Sequence, residues 1–284
     1  MMRVEVRSLA RRLLPRAARN WLRAPSLSVA WLADEARHAV GQDPMVRLRP
    51  DWPVRCHSAA LRRAFLPALA DPEQALELDG LIAACRPGML LFDIGAHFGL
   101  FTLAALHYGG AGARVIAVDP SPAATRMLRI HCGLNGAADR VTIVEAAIGD
   151  RVGRTRLVPV GVIGAGYFAP LGAGDDSQAR MVSALTLDAL TENNGWPTHV
   201  KVDVEGFEAD VLAGAHHVLA HTPAPVLFVE LHNDMVRARG ADPLQSIDTL
   251  ATAGYALFDL DGRPASGSDV VKRPLTRIVA RRRS

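Results

Sequence analysis

The chain has 284 residues, 49% of them hydrophobic, with 32 Lys and Arg against 29 Asp and Glu; it is long and apolar enough to bury a sizeable core, which excludes a disordered tail or a disulfide-stapled miniprotein. Its basic residues gather at the two ends, Arg3 to Arg23 and Arg281 to Arg283, and an interior without basic runs or interleaved aromatics argues against a nucleic-acid groove. Cys56, Cys85 and Cys132 are odd in number and lack C-x-x-C spacing, no apolar stretch is long enough to span a bilayer, and no secretion signal opens the chain, so a cytoplasmic location is expected.

Residues 1–25 carry Leu9, Leu13, Leu14, Ala17, Trp21 and Leu22 at approximate helical spacing among arginines, interrupted at Pro15. A docked helix or a leader fits this pattern better than peripheral membrane contact, which needs more apolar area. Residues 1–72 are read as a basic, mainly helical extension, and 73–284 as one α/β domain. Pro53, Pro67 and Pro72 break the extension into short pieces before a helix over Glu73–Cys85, which Arg86-Pro87-Gly88 ends.

From there strands and helices alternate: strand Met89–Asp93, helix Leu100–Tyr108, strand Arg114–Asp119, helix Ser121–Leu134, strand Val141–Glu145. Alternation on this scale predicts a mostly parallel sheet with helices on both faces and ligands at the strand C-termini. Residues 150–185, rich in Gly and Pro, read as a flap in which Thr155–Val160 and Met181–Leu185 could pair as a hairpin; Gly161, Gly164 and Gly166 within it lack the Lys-Ser/Thr of a phosphate loop. Regular structure resumes at Leu187–Leu190, followed by strand Val200–Val204, helix Phe207–Ala220, strand Val226–Leu231, helix Pro243–Gly254 and strands Tyr255–Leu260 and Thr276–Ala280. That makes about seven strands, with an antiparallel pair at the late edge.

The turn after the first core strand reads Asp93-Ile-Gly95-Ala96-His97-Phe-Gly99. A dinucleotide turn wants G-x-G-x-x-G so that backbone can approach a pyrophosphate; here the middle glycine is Ala96-His97. D-x-G-A-x-x-G resembles the first motif of S-adenosylmethionine-dependent methyltransferases, whose cofactor has no phosphate but ends in an ammonium and a carboxylate. A carboxylate and free N–H groups at a helix start suit those ends. Asp119, closing the next strand, can hold two ribose hydroxyls.

Further on, Lys201-Val-Asp203-Val-Glu205-Gly206 places three charges at alternate positions where a central strand leaves the sheet. Such charges are costly to bury unless they pair or meet a ligand. Together with Val118-Asp-Pro120, Ala146-Ala-Ile-Gly-Asp150, Leu187-Asp188 and the looser Val229-Glu-Leu-His232, these blocks resemble the FkbM family of S-adenosylmethionine-dependent methyltransferases over roughly residues 75–235. His97 stands where the family pattern has asparagine, and Asp119 where glutamate is common. The resemblance implies a Rossmann-like class I methyltransferase fold with a seven-stranded sheet and S-adenosylmethionine as cofactor. It also implies Asp93, Gly95, Ala96, His97 and Gly99 around the methionine end, Asp119 at the ribose, and Glu145 with Ala146 near adenine.

The acceptor classes the resemblance implies are hydroxyls of a sugar, glycan or secondary metabolite, and O-methylation of such a hydroxyl requires positioning the acceptor and removing its proton. Asp203, Glu205 and His232 are the candidate bases, with Lys201 as a neutralising partner. Asp203, Glu205, Glu230 and His232 could also ligate a divalent cation, but no H-x-x-x-H-like spacing enforces a site, and no obligatory metal is expected. Two other readings stay open: a NAD-binding oxidoreductase, and a catalytically silent binding protein suggested by His97. The oligomeric state is not legible.

Overall fold

Apolar side chains alternate between two faces in each central strand, and helices cover both faces, so that two separate cores share one sheet. The computed structural model describes residues 25–160, 167–169 and 178–283; the arginine-rich leader and the Gly161, Gly164 and Gly166 loop lie outside them.

The segment before the sheet comprises helix Pro25–Ala39 (α1), an antiparallel hairpin of Met45–Arg49 (β1) and Trp52–Arg55 (β2), and successive helical turns Ser58–Ala60, Leu61–Phe65 and Leu66–Ala70. Within a segment otherwise built of helical turns, the sequence reading did not include the hairpin. Its alternation is short and interrupted by Pro50 and Pro53, but Trp52 and Val54 are buried against the core, and that packing outweighs a weak local signal. Helix Pro72–Ala84 (α2) follows, capped by the Asp71 carboxylate accepting from the Gln74 N–H.

The main sheet contains Leu90–Ile94 (β3), Arg114–Val118 (β4), Val141–Val144 (β5), His199–Val202 (β10), Val226–Leu231 (β11), Tyr255–Phe258 (β12) and Thr276–Arg282 (β13). Between β5 and β10 lie Ala147–Ile148 (β6), Gly153–Val160 (β7), Tyr167–Ala169 (β8) and Arg180–Leu185 (β9). Main-sheet order is β12-β13-β11-β10-β3-β4-β5, parallel except that β13 runs antiparallel to both neighbours. β6 to β9 form a smaller sheet, in which Thr155 of β7 lies opposite Val182 of β9.

One face packs α2, Leu100–Tyr108 (α3) and Pro122–Leu134 (α4) through Leu78, Leu81, Leu103 and Leu128. The other packs Leu187–Asn194 (α5), Glu208–Ala213 (α6), His216–Ala220 (α7) and Leu244–Thr252 (α9), the last preceded by the short Asn233–Ala238 (α8). The single helix expected over Phe207–Ala220 is thus two. It breaks at Gly214, where a Cβ would lie 2.1 Å from the Gly149 carbonyl oxygen, so the crossing of two chain segments decides the boundary. Connections leave β3 towards β4 on one side, and the later strands begin with β10 on the other. This makes the β3/β10 boundary the topological switch point at which open α/β sheets bind ligands. Among the described residues, no helix is long and apolar enough to cross a membrane.

Candidate active site

A cavity of about 500 Å³ opens at the C-terminal ends of β3, β4, β10 and β11, within the range of about 300–1,000 Å³ that small-molecule sites occupy. Gly95, His97, Asp119 and Ala146 line one part of it, and Asp203, Glu205, Glu230 and His232 another. Asp93, Ala96, Gly99, Glu145 and Lys201 are not on its wall.

The turn after β3 is braced from within. Gly95 and Ala96 donate their N–H groups to the Val118 carbonyl at 2.9 and 3.0 Å, His97 donates to Asp119 Oδ2 at 2.9 Å, and Gly99 donates to the Ala96 carbonyl. These four N–H groups therefore have partners in the chain, unlike the free donors the sequence suggested. Gly95 has φ +83°, and a Cβ on it would lie 1.7 Å from the Asp203 carbonyl oxygen; the glycine lets the β3 and β10 ends touch. Asp93 is buried behind the wall, accepting from Thr102 Oγ1 at 2.5 Å. Glu145 is exposed and accepts from Thr125 Oγ1 at 2.9 Å.

Asp119 accepts the Ser121 N–H at 2.8 Å as well as that of His97. Burial pushes its carboxyl up to about 7 despite these two bonds. Each oxygen accepts one N–H here and keeps a further lone pair for a hydroxyl donor. His97 is in the left-handed region at φ +46°, uncommon for a non-glycine residue, and stacks on Phe98 with ring centroids 3.9 Å apart. Burial lowers its pKa to about 4, and its Nε2 is buried without a hydrogen-bond partner. A wall residue with an unpartnered ring nitrogen, next to a carboxylate with acceptor capacity to spare, fits a polar nucleoside cofactor.

Opposite lies a charged cluster. β10 ends at Val202, so Asp203 and Glu205 sit in the turn beyond it rather than on a continuing strand. Glu205 has φ +54°, a strain of the kind that persists where surrounding bonds hold it. Those bonds are Gly206 N–H to Glu208 Oε1 at 2.9 Å and the Arg239 guanidinium to the Gly206 carbonyl. His232 stands just past β11. Its Nδ1 is 2.8 Å from Glu208 Oε1, and its Nε2 lies 3.4 Å from Glu205 Oε2 and 3.9 Å from both Asp203 Oδ1 and Glu230 Oε1.

Burial opposes charge on His232, but Glu208, Asp203 and Glu205 outweigh it and raise its pKa to about 9. Burial pushes Glu205 up to about 7 and Glu230 up to about 8. It works against Asp203 too, yet Lys201 and His232 hold that carboxyl below the usual range. Lys201, 1% exposed, sits on the α2 face of the sheet between Glu77 Oε1 at 3.6 Å and Asp203 Oδ2 at 3.4 Å, over the Phe101 ring. Arg277 of β13 extends this row, contacting Glu77 Oε2 at 3.5 Å and Glu230 Oε1 at 2.7 Å.

Glu208, Glu77 and Arg277 escaped the reading of the sequence. Glu77 shares a helical face with Leu78 and Leu81, and Arg277 interrupts an apolar strand as Lys201 does; in both, a charge at a core position was the available signal. Nothing local marks Glu208, which gains its role only when the β10 and β11 ends meet.

The strand order with one reversed strand, and the cavity at its switch point, define the class I Rossmann-like methyltransferase fold. Residues 93–257, more than half of the chain, match the family described as the methyltransferase FkbM domain, and the chain belongs to that family. Its cofactor is S-adenosylmethionine.

One curated relative, a ribosomal protein L11 methyltransferase from Pelotomaculum thermopropionicum, is 36% identical over 92 residues, which are 31% of this chain and 29% of that protein. The chain therefore matches under a third of that relative's length. Similar solved structures include a precorrin-6y C5,15-methyltransferase from Geobacter metallireducens, 16% identical, covering 74% of this chain and 87% of that one at a TM-score of 0.40. Another is an O-methyltransferase from Bacillus cereus in complex with SAH, 14% identical, covering 88% and 96% at a TM-score of 0.44.

Proposed function

We propose that the protein methylates a hydroxyl oxygen of a sugar, glycan or secondary metabolite. One observation carries this reading: a single cavity joins a diol-binding carboxylate, Asp119, to a cluster of carboxylates and imidazole across the switch point. S-adenosylmethionine supplies an electrophilic methyl group when bound. The chain's task is then to hold the acceptor oxygen in line with that methyl and to take its proton.

Asp119 and the turn at His97 bind and orient the nucleoside part. On the acceptor side, Glu205 faces the cavity with a pKa of about 7, close to the value at which a general base works best near neutrality. His232, protonated below about 9 and fixed by Glu208, donates from Nε2 to an oxygen in the cavity. A hydroxyl is a poor nucleophile that needs such a base, which favours oxygen over an amine acceptor. The N/D-P-P-Y/F run of amine and amide methylation is also absent from the strand ends. His97 forms part of the wall, and the cavity persists beside it, which favours an active enzyme over a silent binding module.

The test pairs calorimetry with S-adenosylmethionine, S-adenosylhomocysteine and NAD with mass spectrometry of hydroxyl acceptors for the gain of one CH2. Binding of the two sulfur nucleosides without NAD, and methylation at oxygen, are expected; NAD binding alone would overturn the reading. Glu205→Gln is expected to lower kcat by about 100-fold or more, as loss of a general base does, with S-adenosylmethionine affinity measured alongside.

A further inference from the structure

We propose that Asp203, Glu205 and His232 bind a divalent cation of the Mg2+ or Mn2+ kind at the acceptor side of the cavity. The inference rests on the methyltransferase reading and deepens it, because a cation there would hold the acceptor oxygen and make its proton easier to lose.

One ligand atom from each of the three residues can be chosen so that all lie within 4.8 Å of one another. A cation at about 2.0–2.4 Å from its ligands separates neighbouring ligand atoms by about 3–3.5 Å. The spacing of His232 Nε2 to Glu205 Oε2, 3.4 Å, already meets that, and the 3.9 Å to Asp203 Oδ1 needs only a small inward rotation.

Two further observations point to a ligand rather than to a self-contained ion-pair cluster. Glu230 lines the same cavity at 4% exposure, and while its Oε1 accepts from Arg277, its Oε2 is buried without a hydrogen-bond partner. A carboxylate in a cavity wall with one oxygen left unpartnered is costly unless something cationic or donating meets it.

The second observation is the Glu208–His232 pair. Glu208 is fully buried, and its carboxylate meets Nδ1 at 2.8 Å. That contact holds one proton on Nδ1, so a cation at Nε2 takes the place of the second imidazolium proton, the carboxylate–histidine arrangement common behind metal-ligating imidazoles.

Carboxylate oxygens with one imidazole favour Mg2+ or Mn2+ over the thiolate-seeking metals. A carboxylate that ligates through one oxygen keeps the other, so Glu205 can hold the cation and still take the acceptor's proton.

The probe is Mn2+, titrated into the full chain after EDTA treatment and gel filtration, with free Mn2+ read by electron paramagnetic resonance. The result expected is one tight site per chain whose electron spin-echo signal carries nitrogen modulation from the imidazole. His232→Ala should remove that modulation and weaken binding at least tenfold, and Glu208→Gln should weaken it about tenfold, as loss of the group behind a metal-bound imidazole does. No binding by the unaltered protein at millimolar Mn2+, or binding without nitrogen modulation, overturns the proposal, and neither result depends on a variant folding. Calorimetry with S-adenosylmethionine on the same metal-free sample separates the two readings: cofactor binding without Mn2+ binding removes the cation site alone, and Mn2+ binding without cofactor binding removes the methyltransferase reading alone.

Discussion

Single residues in this site work by filling one stereochemical requirement each. Asp119 spends two interactions on backbone N–H groups, which lock its carboxylate in place before any ligand arrives. Asp119→Ala should therefore lose both the proposed diol contact and the bracing of the His97 turn, and we expect S-adenosylmethionine affinity to fall at least about tenfold by calorimetry, the worth of about one charge-assisted hydrogen bond. Gly95 answers a steric requirement instead. Gly95→Ala meets both a positive φ and a Cβ 1.7 Å from the Asp203 carbonyl oxygen, so it should cost about 3 kcal/mol or more, read as a lowered urea midpoint with an unchanged slope. Gly95 and Asp119 were legible in the sequence because strand-end glycines and acids are local signals. Glu208 was not, because its significance lies in a partner, His232, that stands 24 residues further along the chain.

Elements place these residues by how they cross. β10 and β11 bring Asp203, Glu205, Glu230 and His232 to one rim, and α2 delivers Glu77 beneath Lys201 from the face of the sheet. The segment before the sheet is tied to α4. Glu35 of α1 pairs with Arg126 at 2.7 Å, the His57 N–H donates to His131 Nε2, and Asn135 bonds the backbone of Arg55 in both directions. Within that segment Asp34, 1% exposed, accepts from Arg62 at 2.6 Å. Arg62 is 46% exposed and returns to water when its partner is removed, so Asp34→Ala should cost only about 1 kcal/mol, and chemical denaturation checks it. Strand and helix types were readable where apolar runs were bounded by clear stops, as in Leu100–Tyr108 and Val226–Leu231, which the structure reproduces residue for residue. The hairpin β1–β2 and the break at Gly214 were not, because long-range packing sets both.

At the scale of the whole molecule, the site sets how stability depends on pH. His232 is raised from 6.5 to about 9 in the folded chain, so its stabilising contribution is complete below 6.5 and is lost as pH climbs through 9. Asp119, Glu205 and Glu230, raised to about 7, 7 and 8 by burial, act with the same sign, since each must ionise in a dry setting as pH rises. The Tm of the metal-free protein should accordingly fall between pH 6.5 and 9 by differential scanning fluorimetry, and His232→Gln should flatten that fall; a Tm that rises over this interval would contradict the burial of the cluster. The sequence by itself determined the alternation of strands and helices, the glycine turn at Asp93–Gly99 and the acid at Asp119, because apolar patterning, glycine conformation and strand-end chemistry act over a few residues. Only the tertiary structure decided that Asp93 and Lys201 lie behind the wall, that Glu208 and Glu230 join His232, and that the acidic groups converge on one point. Which face a charge takes, and which distant charge it meets, follows from how the sheet is ordered and from the cost of leaving a buried charge unpaired.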